Sequence, residues 1–71
     1  MAESKNLIEG LQEEMDRVQE MVTEYRSVPR GAGILAAKFM EVDIAKAKTA
    51  ISTEDTIQMI TSLKILKEYK H

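Results

Sequence analysis

The segment Val28-Pro29-Arg30-Gly31-Ala32-Gly33 combines the one proline of the chain with two of its three glycines. Pro29 has no backbone N–H, and it disfavours helical geometry at the residue before it. The two glycines allow backbone conformations in which the chain can reverse its direction. We therefore predict a turn at residues 28–32 that joins two helices as a hairpin.

Upstream of this turn, apolar residues recur at alternating spacings of three and four positions. They are Ile8, Leu11, Met15, Val18, Val22 and Tyr25. This period places the six side chains on one side of an α-helix. The first helix is therefore predicted at about residues 4–27.

Downstream of the turn, a second helix is predicted at about residues 31–51, and it is apolar on two opposite sides. One side carries Ala37, Met40, Ile44, Ala47 and Ile51, and the other carries Leu35, Phe39 and Val42. A helix that is apolar on both sides is expected to be buried on both sides, but one hairpin partner covers only one of them. Three arrangements stay open for the Leu35 side: burial inside the monomer, burial against a second copy, or burial against a target protein.

A third helix is predicted at about residues 54–69. The run Ser52-Thr53-Glu54-Asp55 has a hydroxyl residue followed by acids, which is typical of a helix start. Neither Gly nor Pro separates the second and third helices, so a continuous helix over 31–69 also stays open. The predicted fold class is all-α, a helical hairpin with a third helix.

The size of the chain favours association with another chain. Its 71 residues are expected to form a single helical domain, and a core of this size leaves only about 3–5 kcal/mol of net stability. The sequence has no Cys to form a disulfide, so we expect a homodimeric helical bundle. The candidate interface residues are Leu35, Phe39, Val42, Met21 and Arg30.

The residue types argue against catalysis and against cofactor or metal binding. The chain has no Cys, and its one His is His71 at the C-terminal end, so a thiolate or histidine metal site and a core His-based triad are not expected. We expect no enzyme activity and no cofactor.

No apolar run approaches the roughly 20 residues that span a bilayer, and the N-terminal residues lack a signal-peptide pattern, so the expected location is the cytoplasm.

Charge is divided unequally along the chain. The net charge is −2, with −4 on residues 1–28 and +2 on residues 29–71. The basic residues near the C-terminus include Lys64, Lys67 and Lys70, and such residues can contact phosphates. They form a modest patch in an acidic chain, so a nucleic-acid-associated regulator is an alternative prediction rather than the main one.

Part of the sequence resembles a known group of proteins. The resemblance rests on Pro29-Arg30-Gly31-Ala32-Gly33, Asp43-Ile44-Ala45-Lys46-Ala47-Lys48, Ala50-Ile51, Asp55, Met59, Leu63 and Leu66-Lys67. Over about residues 29–67, the chain resembles small helical proteins of Mu-like phages and prophages, a group that includes a phage quorum-sensing anti-activator. The resemblance implies a small dimer that binds and inhibits a host regulatory protein, and it assigns no functional residue.

These observations together predict a small protein-binding regulator, in which Phe39 is the best candidate for an interface anchor because aromatic side chains bury large areas. A purely structural dimerisation module is a further alternative.

Overall fold

The computed structural model describes the backbone of residues 2–70 and the side chains of residues 6–70. Helix α1 covers Ala2–Arg26, α2 covers Ile34–Ser52 and α3 covers Thr56–Glu68, with a short 3-10 turn at Pro29–Gly31 between α1 and α2. The described residues contain no strand. The predicted all-α helical hairpin with a third helix is confirmed.

The turn between α1 and α2 is longer than predicted, so α2 begins at Ile34 instead of near residue 31. Arg30 and Gly31 have φ angles of 64° and 68°, which are left-handed values that an α-helix does not contain. Gly33 then lies against the end of α1, where a Cβ atom on Gly33 would stand 2.2 Å from the carbonyl oxygen of Tyr25. Glycine is therefore required at Gly33 by the close approach of two backbones.

The junction between α2 and α3 is a Schellman motif, in which the two helices are separate. The amide of Asp55 donates to the carbonyl of Ala50, at 3.0 Å, and the amide of Glu54 donates to the carbonyl of Ile51, at 3.1 Å. Glu54 occupies the left-handed position of this motif, with φ 56°, and this conformation ends α2. The continuous helix over 31–69 is therefore wrong.

Helix α3 begins at Thr56, two residues later than predicted. Its N-terminal cap is the carboxylate of Asp55, which accepts a 3.1 Å hydrogen bond from the amide of Gln58. The predicted hydroxyl cap at the Ser52-Thr53 pair is wrong, because Ser52 is the last residue of α2 and the Thr53 hydroxyl donates back to the carbonyl of Thr49.

The three helices enclose one apolar core. Its buried members are Leu11, Val18, Met21, Val22, Ala37, Met40, Ile44, Ala47, Ala50, Met59 and Leu66. The predicted stripes of α1 and α2 supply most of this core, and Ile51 and Leu63 pack partly buried against it. Met59 of α3 is buried in this core, whereas the neighbouring Ile60 is 47% exposed, because one residue step rotates the side chain by 100° around the helix.

A chain of polar contacts joins all three helices at the end of α3. The guanidinium of Arg17, on α1, donates to the carbonyl oxygens of Leu66 and Tyr69, each at 2.8 Å. The hydroxyl of Tyr69 in turn donates to the carboxylate of Asp43, on α2, at 2.5 Å. These contacts hold the C-terminal end of α3 against the other two helices.

Candidate protein interface

The second apolar side of α2 is exposed. Leu35, Phe39 and Val42 follow one another at spacings of four and three residues, which places them on one side of the helix. Their side chains are 67%, 59% and 51% exposed, respectively. We call these three residues the α2 face. The arrangement in which α1 and α3 bury both sides of α2 within one chain is therefore wrong, since both helices pack on the opposite side, against residues such as Met40 and Ile44.

The α2 face continues into a concave groove of about 560 Å³ between α2 and the start of α3. The residues that line this groove include Val42, Ala45, Lys46, Thr49, Asp55 and Gln58. Val42 belongs both to the α2 face and to the groove, so the two features form one continuous surface.

Helix α3 contributes an apolar side chain to the same side of the molecule. Ile65 lies seven residues after Gln58, two helical turns along the same side of α3, and it is 36% exposed. One turn later, Tyr69 contacts Asp43 of α2. Ile65 therefore lies on the side of α3 that faces α2, between a groove residue and an interhelical hydrogen bond.

Two lysines accompany this surface. Lys38 lies three residues after Leu35 and four residues before Val42, so it is on the same side of α2 as both. Lys46 lies one turn after Val42 and lines the groove. Both are exposed, and neither takes part in an ion pair within the described part of the chain. The surface therefore presents cationic side chains that no carboxylate among residues 6–70 contacts directly.

The carboxylates near these lysines are engaged by other groups. Glu41 forms an ion pair with Arg26 of α1, on the other side of α2. Asp43 accepts the hydrogen bond from Tyr69, and Asp55, although it lines the groove, caps α3. A hydrogen bond from a neutral donor does not cancel the charge of a carboxylate, so Asp55 stands in the groove opposite Lys46, while Lys38 adds a further positive charge beside the α2 face.

Of the five residues predicted for the interface, three lie together and two lie elsewhere. Met21 is only 1% exposed and belongs to the core, where its sulfur contacts the guanidinium of Arg17 at 3.5 Å. Its placement on the interaction surface is thus corrected, because the packed helices leave Met21 no accessible side. Arg30 is exposed in the turn before α2, five residues from Leu35 and outside the α2 face.

The polar part of this surface was missed by sequence reasoning, although a signal for it exists. The spacing of Leu35, Phe39 and Val42 continues at alternating four and three residues through Lys46 and Thr49. A hydrophobic pattern ends where the side chains become polar, so it marked the α2 face and not the groove.

The outward side of α3 carries the C-terminal lysines. Lys64 and Lys67 are exposed on α3, and Lys70 is exposed just after it. Two exposed isoleucines, Ile57 at 75% and Ile60 at 47%, share the outer surface of this helix. The two isoleucines occupy the first half of this surface, and the lysines follow them as a short basic patch at the C-terminal end of α3.

The side chain of Tyr69 has a clearly shifted pKa. Burial, followed by the hydrogen bond to Asp43 and the negative charge of that residue, raises the pKa of Tyr69 to about 12. This phenol lies in the interhelical contact described above, where it serves to hold α3 on α2.

Within residues 6–70, whose side chains the structure describes, Asp and Glu side chains do not form a group of three or more that is placed to hold a metal ion. In the same part of the chain, none of the helices combines the length and the apolar content needed to cross a bilayer. His71 lies outside the described residues.

The α2 face and the groove therefore form the best-defined candidate site, a partly apolar surface with a concave part and unpaired lysines. Comparison of the chain with protein-family models, with curated proteins and with solved structures finds no match.

Proposed function

We propose that this chain is a small protein-binding regulator that contacts its partner through the α2 face and the groove. The observation that carries the proposal is the 59% exposure of Phe39 in the middle of an apolar stripe. Contiguous exposed apolar patches on small proteins commonly mark interaction sites, and aromatic residues supply much of the binding energy at interfaces.

The resemblance to small helical proteins of Mu-like phages and prophages supports a narrower proposal. From that resemblance, we infer that the bound protein is a regulatory protein of the host, which the chain would inhibit as an anti-activator does. The homodimer expected from the sequence stays a prediction, and sedimentation equilibrium at micromolar concentration tests it.

The proposal is tested by affinity capture from a lysate of cells that produce the chain, with and without nuclease treatment. The variant Phe39→Ser changes the α2 face, and Ile57→Ser is the matched control because Ile57 is exposed elsewhere, on α3. We expect the wild type and Ile57→Ser to retain the same proteins at moderate salt, and Phe39→Ser to lose them. Circular dichroism of both variants checks that they keep their helices.

Two results would contradict this function. Capture that disappears with nuclease and falls steeply with salt would favour the nucleic-acid alternative, because phosphate contacts release counterions. Capture that is unchanged in Phe39→Ser would show that the α2 face does not bind the partner.

A further inference from the structure

We propose that the α2 face and the groove bind an amphipathic helix of a partner protein, and that the polar side of this partner helix is acidic. This inference rests on the proposed function, and it specifies the chemistry of the partner. It follows from the shape of the surface, from its charge, and from the poor fit of a second copy.

The shape of the surface suits a helix. From Leu35 to Ser52, the exposed side of α2 extends for about 26 Å at 1.5 Å per residue, which is the length of nearly five helical turns. Along the groove, the small side chains of Ala45 and Thr49 allow a neighbouring backbone to approach closely. An amphipathic helix placed in a groove, with its apolar side chains at helical spacing, is a recurring mode of recognition.

The charge of the surface selects an acidic partner. Lys38 and Lys46 are exposed beside the apolar residues that a partner helix would cover. Acidic residues at the edges of the partner's apolar stripe would lie within reach of both ammonium groups. Complementary charges of this kind speed association and exclude partners of the wrong sign.

A second copy of the chain fits this surface less well. In a two-fold symmetric contact, the same patch of both copies meets, so two copies of Lys38 and two of Lys46 would share one interface. The nearby carboxylates of Asp43 and Asp55 are already hydrogen-bonded within their own chain. Even with Asp55 as a counterpart for one lysine of each copy, an excess of positive charge is left between the two patches and disfavours such a dimer, whereas an acidic helix neutralises it.

An anionic membrane would also attract lysines beside apolar residues, but the shape argues against it. Interfacial helices present a convex apolar side to the lipid. Here the α2 face leads into a concave groove whose lining includes Lys46, and a partner helix fills such a groove better than a planar lipid surface does.

The test uses two synthetic amphipathic peptides of about 20 residues, with the same apolar stripe and with either Glu or Lys at every charged position. Their binding to the full chain is measured by fluorescence anisotropy at low salt. We expect the wild type to prefer the acidic peptide by about tenfold. The double variant Lys38→Glu/Lys46→Glu should reverse this preference, and Phe39→Ser should weaken binding of the acidic peptide by about tenfold.

The matched control is the double variant Lys48→Glu/Lys67→Glu, which makes the same change in net charge away from the α2 face. Because both lysines are exposed outside the groove, we expect this variant to keep the preference for the acidic peptide. A loss of preference in the control would show that the net charge of the chain, and not Lys38 and Lys46, selects the peptide.

The remaining outcomes separate this inference from the proposed function. Equal binding of both peptides, weakened by Phe39→Ser, would overturn the acidic partner and leave protein binding by the α2 face standing. Binding of neither peptide would overturn the inference, and lysate capture that does not depend on Phe39 would overturn the proposed function itself.

A dimer that Phe39→Ser dissociates would assign the surface to a second copy. Phe39-dependent binding to phosphatidylglycerol–phosphatidylcholine vesicles, without peptide binding, would assign it to a membrane.

Discussion

Arg17 on α1 caps the C-terminal end of α3, because its guanidinium donates a 2.8 Å hydrogen bond to the main-chain carbonyl of Leu66. The last carbonyls of a helix lack the amide four residues on that would pair them within the helix, and they carry the negative end of its dipole. Besides the bond from Arg17, the Leu66 carbonyl accepts a 3.2 Å hydrogen bond from the amide of Tyr69, just after the helix. A cation from another helix satisfies both requirements at once. A second guanidinium nitrogen extends the contact to the carbonyl of Tyr69, also at 2.8 Å.

We therefore expect Arg17→Gln to lower the free energy of unfolding by about 1–2 kcal/mol, since hydrogen bonds from charged donors are worth about 1.5–3 kcal/mol and this side chain is partly exposed. Urea denaturation followed by circular dichroism measures the change. Glu14→Gln is the control, because it removes only the i,i+3 ion pair with Arg17, worth less than about 1 kcal/mol at a partly exposed site. Equal losses in both variants would contradict the role of Arg17 as a cap.

Substitution by alanine is expected to lower the free energy of unfolding at Gly33 and to raise it at Gly10. A Cβ on Gly33 would stand 2.2 Å from the carbonyl oxygen of Tyr25, whereas a Cβ on Gly10 would have no heavy atom within 4 Å outside its own helical turn. Gly33→Ala should therefore cost at least about 2 kcal/mol through forced displacement of the backbone. Gly10→Ala should stabilise the chain by up to about 1 kcal/mol, because alanine is the better helix former. Thermal unfolding of both variants measures the difference, and a neutral Gly33→Ala would contradict the close approach of α1 and α2.

Glu54 occupies a position that glycine fills more easily. Its φ of 56° lies in the left-handed region, which costs a non-glycine residue about 1–2 kcal/mol. Glu54→Gly should therefore raise the free energy of unfolding by about 0.5–1 kcal/mol, after the greater freedom of glycine in the unfolded chain is subtracted. Ser52→Gly, in the last turn of α2, provides the contrast and should lower it. Destabilisation by Glu54→Gly would show that the Schellman geometry is absent.

The helical content and the position of the hairpin turn could be predicted from the sequence. The spacing of apolar residues by three and four positions, and the Pro–Gly segment, determine the backbone conformation locally. The sequence did not reveal the left-handed geometry at Glu54, since glutamate gives no local signal for it. The burial of the Met21 side chain could not be predicted, because it depends on tertiary packing. A residue at the edge of the apolar stripe of α1 is buried or exposed according to where a third helix packs. In the same way, two apolar sides of α2 were evident from their spacing, but spacing alone did not tell which side α1 and α3 would cover.

Adjacent residues on α2 test that assignment. Met40 is 2% exposed, whereas Phe39 is 59% exposed. Met40→Ala should cost about 2–5 kcal/mol through the lost burial and the cavity left behind, and Phe39→Ala should cost less than about 1 kcal/mol, as for most surface substitutions. Denaturant unfolding of the two variants compares them directly. A larger cost for Phe39→Ala would mean that the α2 face is buried in solution, and mass measurement at several concentrations would then show whether a second copy covers it.

The hydrogen bond between Tyr69 and Asp43 makes the stability of the chain depend on pH in the alkaline range. Tyr69 has a pKa of about 12 in the folded chain, raised from 10.0 by burial first and then by the bonded carboxylate. Between pH 10 and pH 12, this tyrosine is ionised in the unfolded chain but protonated in the folded one. The unfolded state then binds fewer protons, so the free energy of unfolding falls as the pH rises through this window. Below pH 10, the contribution of Tyr69 is fully present.

Ultraviolet titration of the folded chain in a Tyr25→Phe background measures the ionisation of Tyr69 alone, since the sequence has only these two tyrosines. We expect it to titrate well above an ordinary tyrosine, and we expect Asp43→Asn to lower its pKa, because the carboxylate charge that opposes ionisation is removed. Tyr69→Phe removes the ionisable phenol. The free energy of unfolding of this variant should therefore fall less between pH 10 and pH 12 than that of the wild type. Titration of Tyr69 at its ordinary pKa in the folded chain would show that α3 does not end against Asp43, and the three-helix contact through Arg17, Tyr69 and Asp43 would then be wrong.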